Sequence, residues 1–292
     1  MKRLVMMWVM VALGFLTMEY PQNPKTVHAN EFVPVSTWLW DTEAIHTNKD
    51  EVLKFLITKH VNTVFLQINQ DIPFETYEHF IRQARSHNIE IHALDGAPDW
   101  GKSKGKMDNM FGWLRTYQQQ AVPNEKFSGV HIDVEPYLHE QWNRNQANAV
   151  MQYQTLLIEA KKQSNRLGLP IGIDIPFWFD EIKFQNKYGK GDLASWVIRK
   201  ADSATLMAYR DRVEGPNGII ELIKFEVQLA QKIGKPIIIG VETGKSEEAD
   251  YVSFHEEGEA YMFKQLKQVQ ANYNGNVTYA IHHLQSWMRM EY

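Results

Sequence analysis

Two hydrophobic periods alternate along this chain. Short runs place aliphatic residues at every second position, the signature of a β-strand, whose successive side chains point to opposite faces. Between them lie longer stretches with apolar residues three and four apart, the signature of an amphipathic helix. The first period predicts strands at 35–40, 62–69, 90–95, 129–135, 170–176, 204–209, 236–242 and 277–283. The second predicts helices at 49–59, 74–87, 107–120, 143–167, 192–200, 217–233 and 256–271. Boundary residues agree: Asn48 opens the first helix, and Gly168-Leu-Pro170 and Gly234-Lys-Pro236 stop the fourth and sixth.

Eight strands alternating with helices predict a parallel sheet closed as a single (β/α)8 TIM barrel, with a doubly wound open sheet as the competing arrangement. No composition shift divides the chain. After the eighth strand only Leu284–Tyr292 remain, too short for a normal closing helix. That helix is therefore short or absent, or residues 30–34 help to cover the gap.

In such a barrel the catalytic groups sit at the C-terminal ends of the strands. Phe127-Ser-Gly-Val-His-Ile-Asp-Val-Glu-Pro-Tyr137 has the sharpest alternation, with Val130, Ile132 and Val134 on one face and His131, Asp133 and Glu135 on the other. Pro136 cannot donate to a ladder, so the strand ends near Glu135. Likewise Val64, Leu66 and Ile68 oppose Gln67 and Asn69, Ile171, Ile173 and Ile175 oppose Gly172 and Asp174, and Ile237, Ile239 and Val241 oppose Ile238, Gly240 and Glu242. With aliphatics packed on the helices, the interior would hold Asn69, Asp95, Asp133, Glu135, Asp174, Tyr209, Glu242 and a histidine of the His282-His283 pair. Trp38 or Trp40, Trp100, Phe177-Trp178 and Trp287 fall at strand ends as well. Flat aromatic platforms beside carboxylates suit a sugar ring. A buried hydrogen-bond network without chemistry is the plainer reading.

Composition narrows the setting. A formal net charge of −4 gives no footprint for nucleic acid. Residues 1–29 read as a secretory signal: Lys2 and Arg3 lead, Leu4–Met18 carry no charge, and Val27-His28-Ala29 precedes a cut before Asn30. That run is shorter than the roughly 20 residues of a membrane span, so no span is expected after cleavage. The mature chain is then 30–292. Cysteine is absent, which removes disulfides, thiol catalysis and thiolate metal sites. A secreted or envelope-associated bacterial monomer, with a carbohydrate substrate and no cofactor, is expected.

Phe127–Glu135 resembles the fourth-strand signature D-G-x-D-x-D-x-E of family 18 glycoside hydrolases, the chitinase-like barrels. Leu206-Met-Ala-Tyr-Arg-Asp211 is similar to their sixth-strand M-x-Y-[DN] segment. The resemblance implies a glycoside hydrolase acting on a polysaccharide or cell-wall glycan. Glu135 would be its general acid, Asp133 the neighbour whose charge raises the Glu135 pKa, and Tyr209 the residue orienting an acetamido group that serves as nucleophile. Two departures stand out: Ser128 and His131 occupy the first two Asp positions. Glu242 leaves a second mechanism open. Val134-Glu135-Pro136 is faintly similar to the N-E-P motif of glycosidases with acids on strands four and seven, where Glu242 would be the nucleophile of a retaining displacement. Carboxyl groups about 5–5.5 Å apart would allow that, and about 6.5–9.5 Å inversion. Otherwise Glu242 accepts a substrate hydroxyl or pairs with Arg210.

Candidate site residues are thus Glu135, Asp133, Glu242 and Tyr209 for catalysis. For substrate they are Trp40, Asn69, Asp95, Trp100, His131, Asp174, Trp178, Arg210, His283 and Trp287. Two other classes remain: a carbohydrate-binding barrel without catalysis, and a metal-dependent hydrolase using His131, Asp133, Glu135 and His282 or His283. The strand-one segment Ser36–Asp41 lacks the H-x-H of many metal barrels, and no metal site is assigned.

Overall fold

The computed structural model describes residues 35–290; the expected signal at 1–29 and the segment 30–34 lie outside the described residues. In chain order the strands are β1 (Val35–Leu39), β2 (Val61–Gln67), β3 (Glu90–Asp95), β4 (Gly129–Ile132), β5 (Ile171–Pro176), β6 (Lys183–Asn186), β7 (Gly189–Asp192), β8 (Ser203–Met207), β9 (Ile237–Glu242) and β10 (Thr278–His282). All but β6 and β7 form one closed parallel barrel in the order β1-β10-β9-β8-β5-β4-β3-β2. Closure is made by β1 on β10, with Val35 opposite Tyr279 and Thr37 opposite Ile281. The fold is a (β/α)8 barrel.

Alternation does what it predicts. Val64, Leu66, Ile91, Ala93, Val130, Ile132, Ile171, Ile173, Ile237 and Ile239 enter the large apolar cluster shared with the helices. The opposite parity supplies a second, small cluster of Trp38, Phe65, Leu94 and Ala280. That inner cluster is too small to fill a barrel with apolar side chains, and the polar residues described below complete it. Gly168 (φ 70°) and Gly234 (φ 66°) end their helices in the left-handed conformation, which a residue without Cβ adopts at no steric cost. The closing helix is the short one expected, Leu284–Met288.

The structure departs from the pattern in three places. β4 leaves its ladder at Ile132, before Asp133 and Glu135, because Pro136 opens a 3-10 turn at Pro136–Leu138 and Glu135 already has φ −104°, ψ 77°. The fourth helix is broken into Glu140–Arg144 and Gln146–Leu167 by Asn145, whose Oδ1 caps the second piece by accepting from the Asn148 N–H at 3.0 Å. Finally, β6 and β7 form an antiparallel hairpin after β5. Its polar, glycine-containing sequence has no apolar alternation by which to recognise it.

Candidate active site

One polar layer inside the barrel is a buried pair. His131 on β4 and Asp174 on β5 are each 1% exposed, with His131 Nε2 2.7 Å from Asp174 Oδ1. The other Asp174 oxygen accepts the indole N–H of Trp38 at 2.9 Å. His131 lies flat on Phe65, ring centroids 3.6 Å apart and planes 12° apart. Its room comes from Gly172, where a Cβ would fall 2.7 Å from His131 Nδ1. Burying a charge without such partners is prohibitive, and here each Asp174 oxygen has one.

Above this pair sit Asp133 and Glu135. Gly96 makes room for the chain here, because a Cβ at that position would fall 1.7 Å from the Asp133 carbonyl oxygen. Asp133 Oδ1 is buried with no hydrogen-bond partner. Burial, then the charges of Asp174 and Glu135, push the Asp133 carboxyl well above the usual carboxylate range. Burial also raises Glu135; the hydroxyl of Tyr137 opposes that by donating to Glu135 Oε2, Asp174 adds to it, and His282 works against it. Tyr137 is walled in by Trp178, at 4.9 Å between ring centroids. Tyr153, from helix Gln146–Leu167, has a buried hydroxyl without a partner; burial and then the charges of Asp133, Asp174 and Glu135 push its pKa up.

Across the mouth the last residues of β9 and β10 make a different arrangement. Glu242 Oε1 accepts the backbone N–H groups of Thr243 (2.8 Å) and Gly244 (2.6 Å), and Oε2 lies 2.6 Å from His282 Nδ1. The indole of Trp40 donates to His282 Nε2 at 3.0 Å. An indole N–H can only donate, so the His282 proton is on Nδ1 and faces Glu242. Burial acts to raise the Glu242 pKa, but His282 and the two N–H groups more than offset it, leaving this carboxyl below the usual range. Tyr209, just past β8, has its ring 5.7 Å from that of His282. Burial first, then the charges of Glu242, Asp133, Asp174 and Glu135, raise the Tyr209 pKa, so its hydroxyl keeps its proton.

The structure therefore brings together Asp133, Glu135, His131, Asp174, Tyr209, Glu242, Trp40 and Trp178. Two of the expected aromatic platforms need correction. Trp100 is 2% exposed within the helix-facing core and offers no platform. Trp287 is 1% exposed, donates to Glu259 Oε1 at 2.7 Å and packs edge-on against Phe55. It belongs to the outer layer, not to the mouth. Asn69 uses its side-chain oxygen on the Asp71 N–H of its own loop. Asp95 shares the parity of Ile91 and Ala93 and accepts from Gln67 Nε2 and the Gly96 N–H, while burial raises its pKa. His283 Nδ1 meets Gln285 Oε1 at 3.0 Å at the head of the last helix. Arg210 makes no ion pair with Glu242, whose partner is His282. Tyr137 and Tyr153 were not anticipated. The only signal for Tyr137 was its place two residues beyond Glu135, and Tyr153 looks like any core residue of a helix.

Among the described residues no group of three or more His, Asp or Glu side chains is arranged to hold a metal ion, and no helix is long and apolar enough to cross a membrane. A recess of about 510 Å³ between helices Gly105–Gln120 and Gln146–Leu167 contains Arg115, Lys126 and Arg166 but no acid. It lies at the C-terminal ends of those helices, away from the mouth.

Fold and site together define a (β/α)8 barrel with an acidic, aromatic-walled mouth. No family model and no curated protein sequence matches the chain. Solved structures do match. The spore cortex-lytic enzyme SleL of Bacillus megaterium QM B1551 has a TM-score of 0.53 at 11% identity, covering 88% of this chain and 73% of that one. The β-amylase catalytic domain of Paenibacillus polymyxa has 0.51 at 9%, covering 87% and 92%. The Group IV chitinase of Ostrinia furnacalis, solved with allosamidin, has 0.50 at 14%, covering 73% and 66%. At such identities the likeness is one of architecture. Chitinases and related hydrolases are among the barrels this chain resembles, as its β4 and β8 segments lead one to expect.

Proposed function

We propose that the protein is a glycoside hydrolase acting on a polysaccharide or cell-wall glycan, with Glu135 as general acid and base. One observation carries this reading. The two glutamates of the mouth have opposite electrostatic settings: Glu135 is held toward its protonated form and Glu242 toward its anion. A carboxyl whose proton is held more firmly than that of a free carboxyl is what protonation of a glycosidic oxygen needs.

The same contrast favours a substrate-assisted mechanism over Glu242 as nucleophile. Both Glu242 oxygens are engaged, by two backbone N–H groups and His282. Attack on the anomeric carbon would require it to give up donors that stabilise its charge. In the substrate-assisted course Glu135 gives its proton to the leaving oxygen while the acetamido oxygen of the sugar closes on the anomeric carbon. Asp133, with one oxygen lacking a protein partner, accepts the acetamido N–H, and the Tyr209 hydroxyl donates to its oxygen. The Glu135 carboxylate then takes a proton from the water that opens the cyclic intermediate. His131 and Asp174, bonded to one another and fully buried, do not touch sugar, and the Asp174 charge acts on Asp133 by raising its pKa. Trp40 and Trp178, both half-buried at the mouth, are the platforms.

The signal-like residues 1–29 support export to the envelope or beyond. Hydrolysis of a polysaccharide and aryl-glycoside panel tests the reading. Wild type should turn over at least one substrate and Glu135→Gln should lose a factor of about 10² or more. Sugar binding with no turnover by either protein would point to a binding barrel instead.

A further inference from the structure

Arg210 follows Tyr209 directly, on the loop beyond β8, and has no acidic partner within ion-pair distance among the described residues. Its guanidinium is nevertheless held in place. Nη1 donates to the Tyr209 carbonyl at 2.6 Å, and Cζ lies 5.3 Å from the ring centroids of both Phe177, just after β5, and Tyr251, after β9. Its Nε is buried without a hydrogen-bond partner. Asp211 next to it feels the Arg210 charge but does not pair with it, and burial is the larger influence there, raising the Asp211 carboxyl.

This arrangement is unusual for an arginine at the mouth of an acidic barrel. A guanidinium fixed only for structure would pair with one of the carboxylates nearby. With Nη1 engaged and Nε buried, Nη2 is the donor left for an arriving carboxylate, and Nε lies on the same edge of the guanidinium. A buried N–H without a partner is destabilising, and an acceptor that reaches it would recover that cost. β8 and β4 are separated only by β5. Arg210 therefore lies on a loop two strands along the barrel from the one that leads to Glu135. Glu242, held toward its anion, would otherwise repel an acidic glycan, so a cation at one place fixes where its negative group can lie.

Resting on the hydrolase reading for the site, we propose that Arg210 selects a glycan bearing a carboxylate on a sugar at or next to the reacting one. Uronic acids and amino sugars carrying a lactyl ether both present that group. Binding, not turnover, tests it. Glu135→Gln protein is titrated calorimetrically with a neutral N-acetylglucosamine oligomer, with an oligomer of equal length carrying lactyl ethers on alternate sugars, and with an oligouronate. At least one carboxylate oligomer should bind about tenfold or more tighter than the neutral one, and the preference should shrink as salt is raised. The acid that is preferred names the source. In Glu135→Gln/Arg210→Met the ratio should fall to near one. Arg210→Lys should restore it in part, because an ammonium keeps the charge but not the fork. Equal affinity for neutral and acidic oligomers, no binding of either, or a preference that survives Arg210→Met in a protein of unchanged melting temperature would overturn the proposal. Carboxylate-selective binding without hydrolysis by wild type would leave it standing and sink only the hydrolase reading.

Discussion

Two sides of one barrel mouth treat the same functional group in opposite ways. On the β4–β5 side, Asp133 and Glu135 are half-buried beside another acid, with one donor between them, and their pKa values are raised. On the β9–β10 side, Glu242 is also largely withdrawn from water, yet three donors converge on it and its anion is favoured. Burial alone therefore does not decide the state of a carboxyl; the count of N–H groups aimed at it does. A site with one proton-holding and one charge-holding carboxyl has its acid already chosen before any substrate arrives.

The comparison can be broken by substitution. The largest effect should come from Glu135→Gln, with turnover down by about 10²–10⁴-fold and thermal stability nearly unchanged, because an amide replaces a carboxyl that its surroundings already hold toward the neutral form. Asp174→Ala follows. It strips His131 of its partner inside the barrel and should lower the unfolding free energy by about 3–5 kcal/mol in a urea titration. Retention of full stability there would mean that the His131–Asp174 pair does not hold the barrel interior together. Glu242→Gln should cost about 1.5–3 kcal/mol, the worth of hydrogen bonds to a charged group, and should reduce turnover less than Glu135→Gln does.

Stability against pH separates the two sides further. Carboxyls raised on folding bind more protons in the native than in the unfolded state, so Asp133 and Glu135 contribute stability that is lost as pH climbs from the ordinary carboxyl range through their raised values. Glu242, lowered on folding, contributes stability present above its unfolded value and lost as pH falls through its depressed one. Melting curves should show Asp133→Asn flattening the upper limb and Glu242→Gln the acid limb. The smallest effect is expected from Tyr137→Phe. Loss of the hydroxyl that favours the Glu135 anion should move the activity limb assigned to Glu135 toward higher pH, with less than about tenfold change in turnover.

How much of this was legible in the sequence follows from where period-two alternation operates. Inside the strands it placed His131 and Asp174 inward and Val130 and Ile173 outward, because the pleat leaves no other choice. Beyond the strand ends the rule lapses. Trp100 and Trp287 follow strands closely but turn into the helix layer, where one is enclosed and the other finds Glu259. Asp95, by contrast, has the outward parity of Ile91 yet bonds to Gln67. The β6–β7 hairpin carried no apolar face to mark it. What the sequence could not convey is pairing across strands: that His131 meets Asp174, that Trp38 anchors it, and that His282 faces Glu242 rather than Arg210 doing so.

The most direct test of the contrast between the glutamates is the anomer of the first product, followed by NMR for wild type, Glu135→Gln and Glu242→Gln on matched oligosaccharides with and without N-acetyl groups. The account predicts retention of configuration on the acetylated sugar alone, abolished by Glu135→Gln and only weakened by Glu242→Gln. Retention on the unacetylated sugar, abolished by Glu242→Gln, would contradict it and make Glu242 the nucleophile.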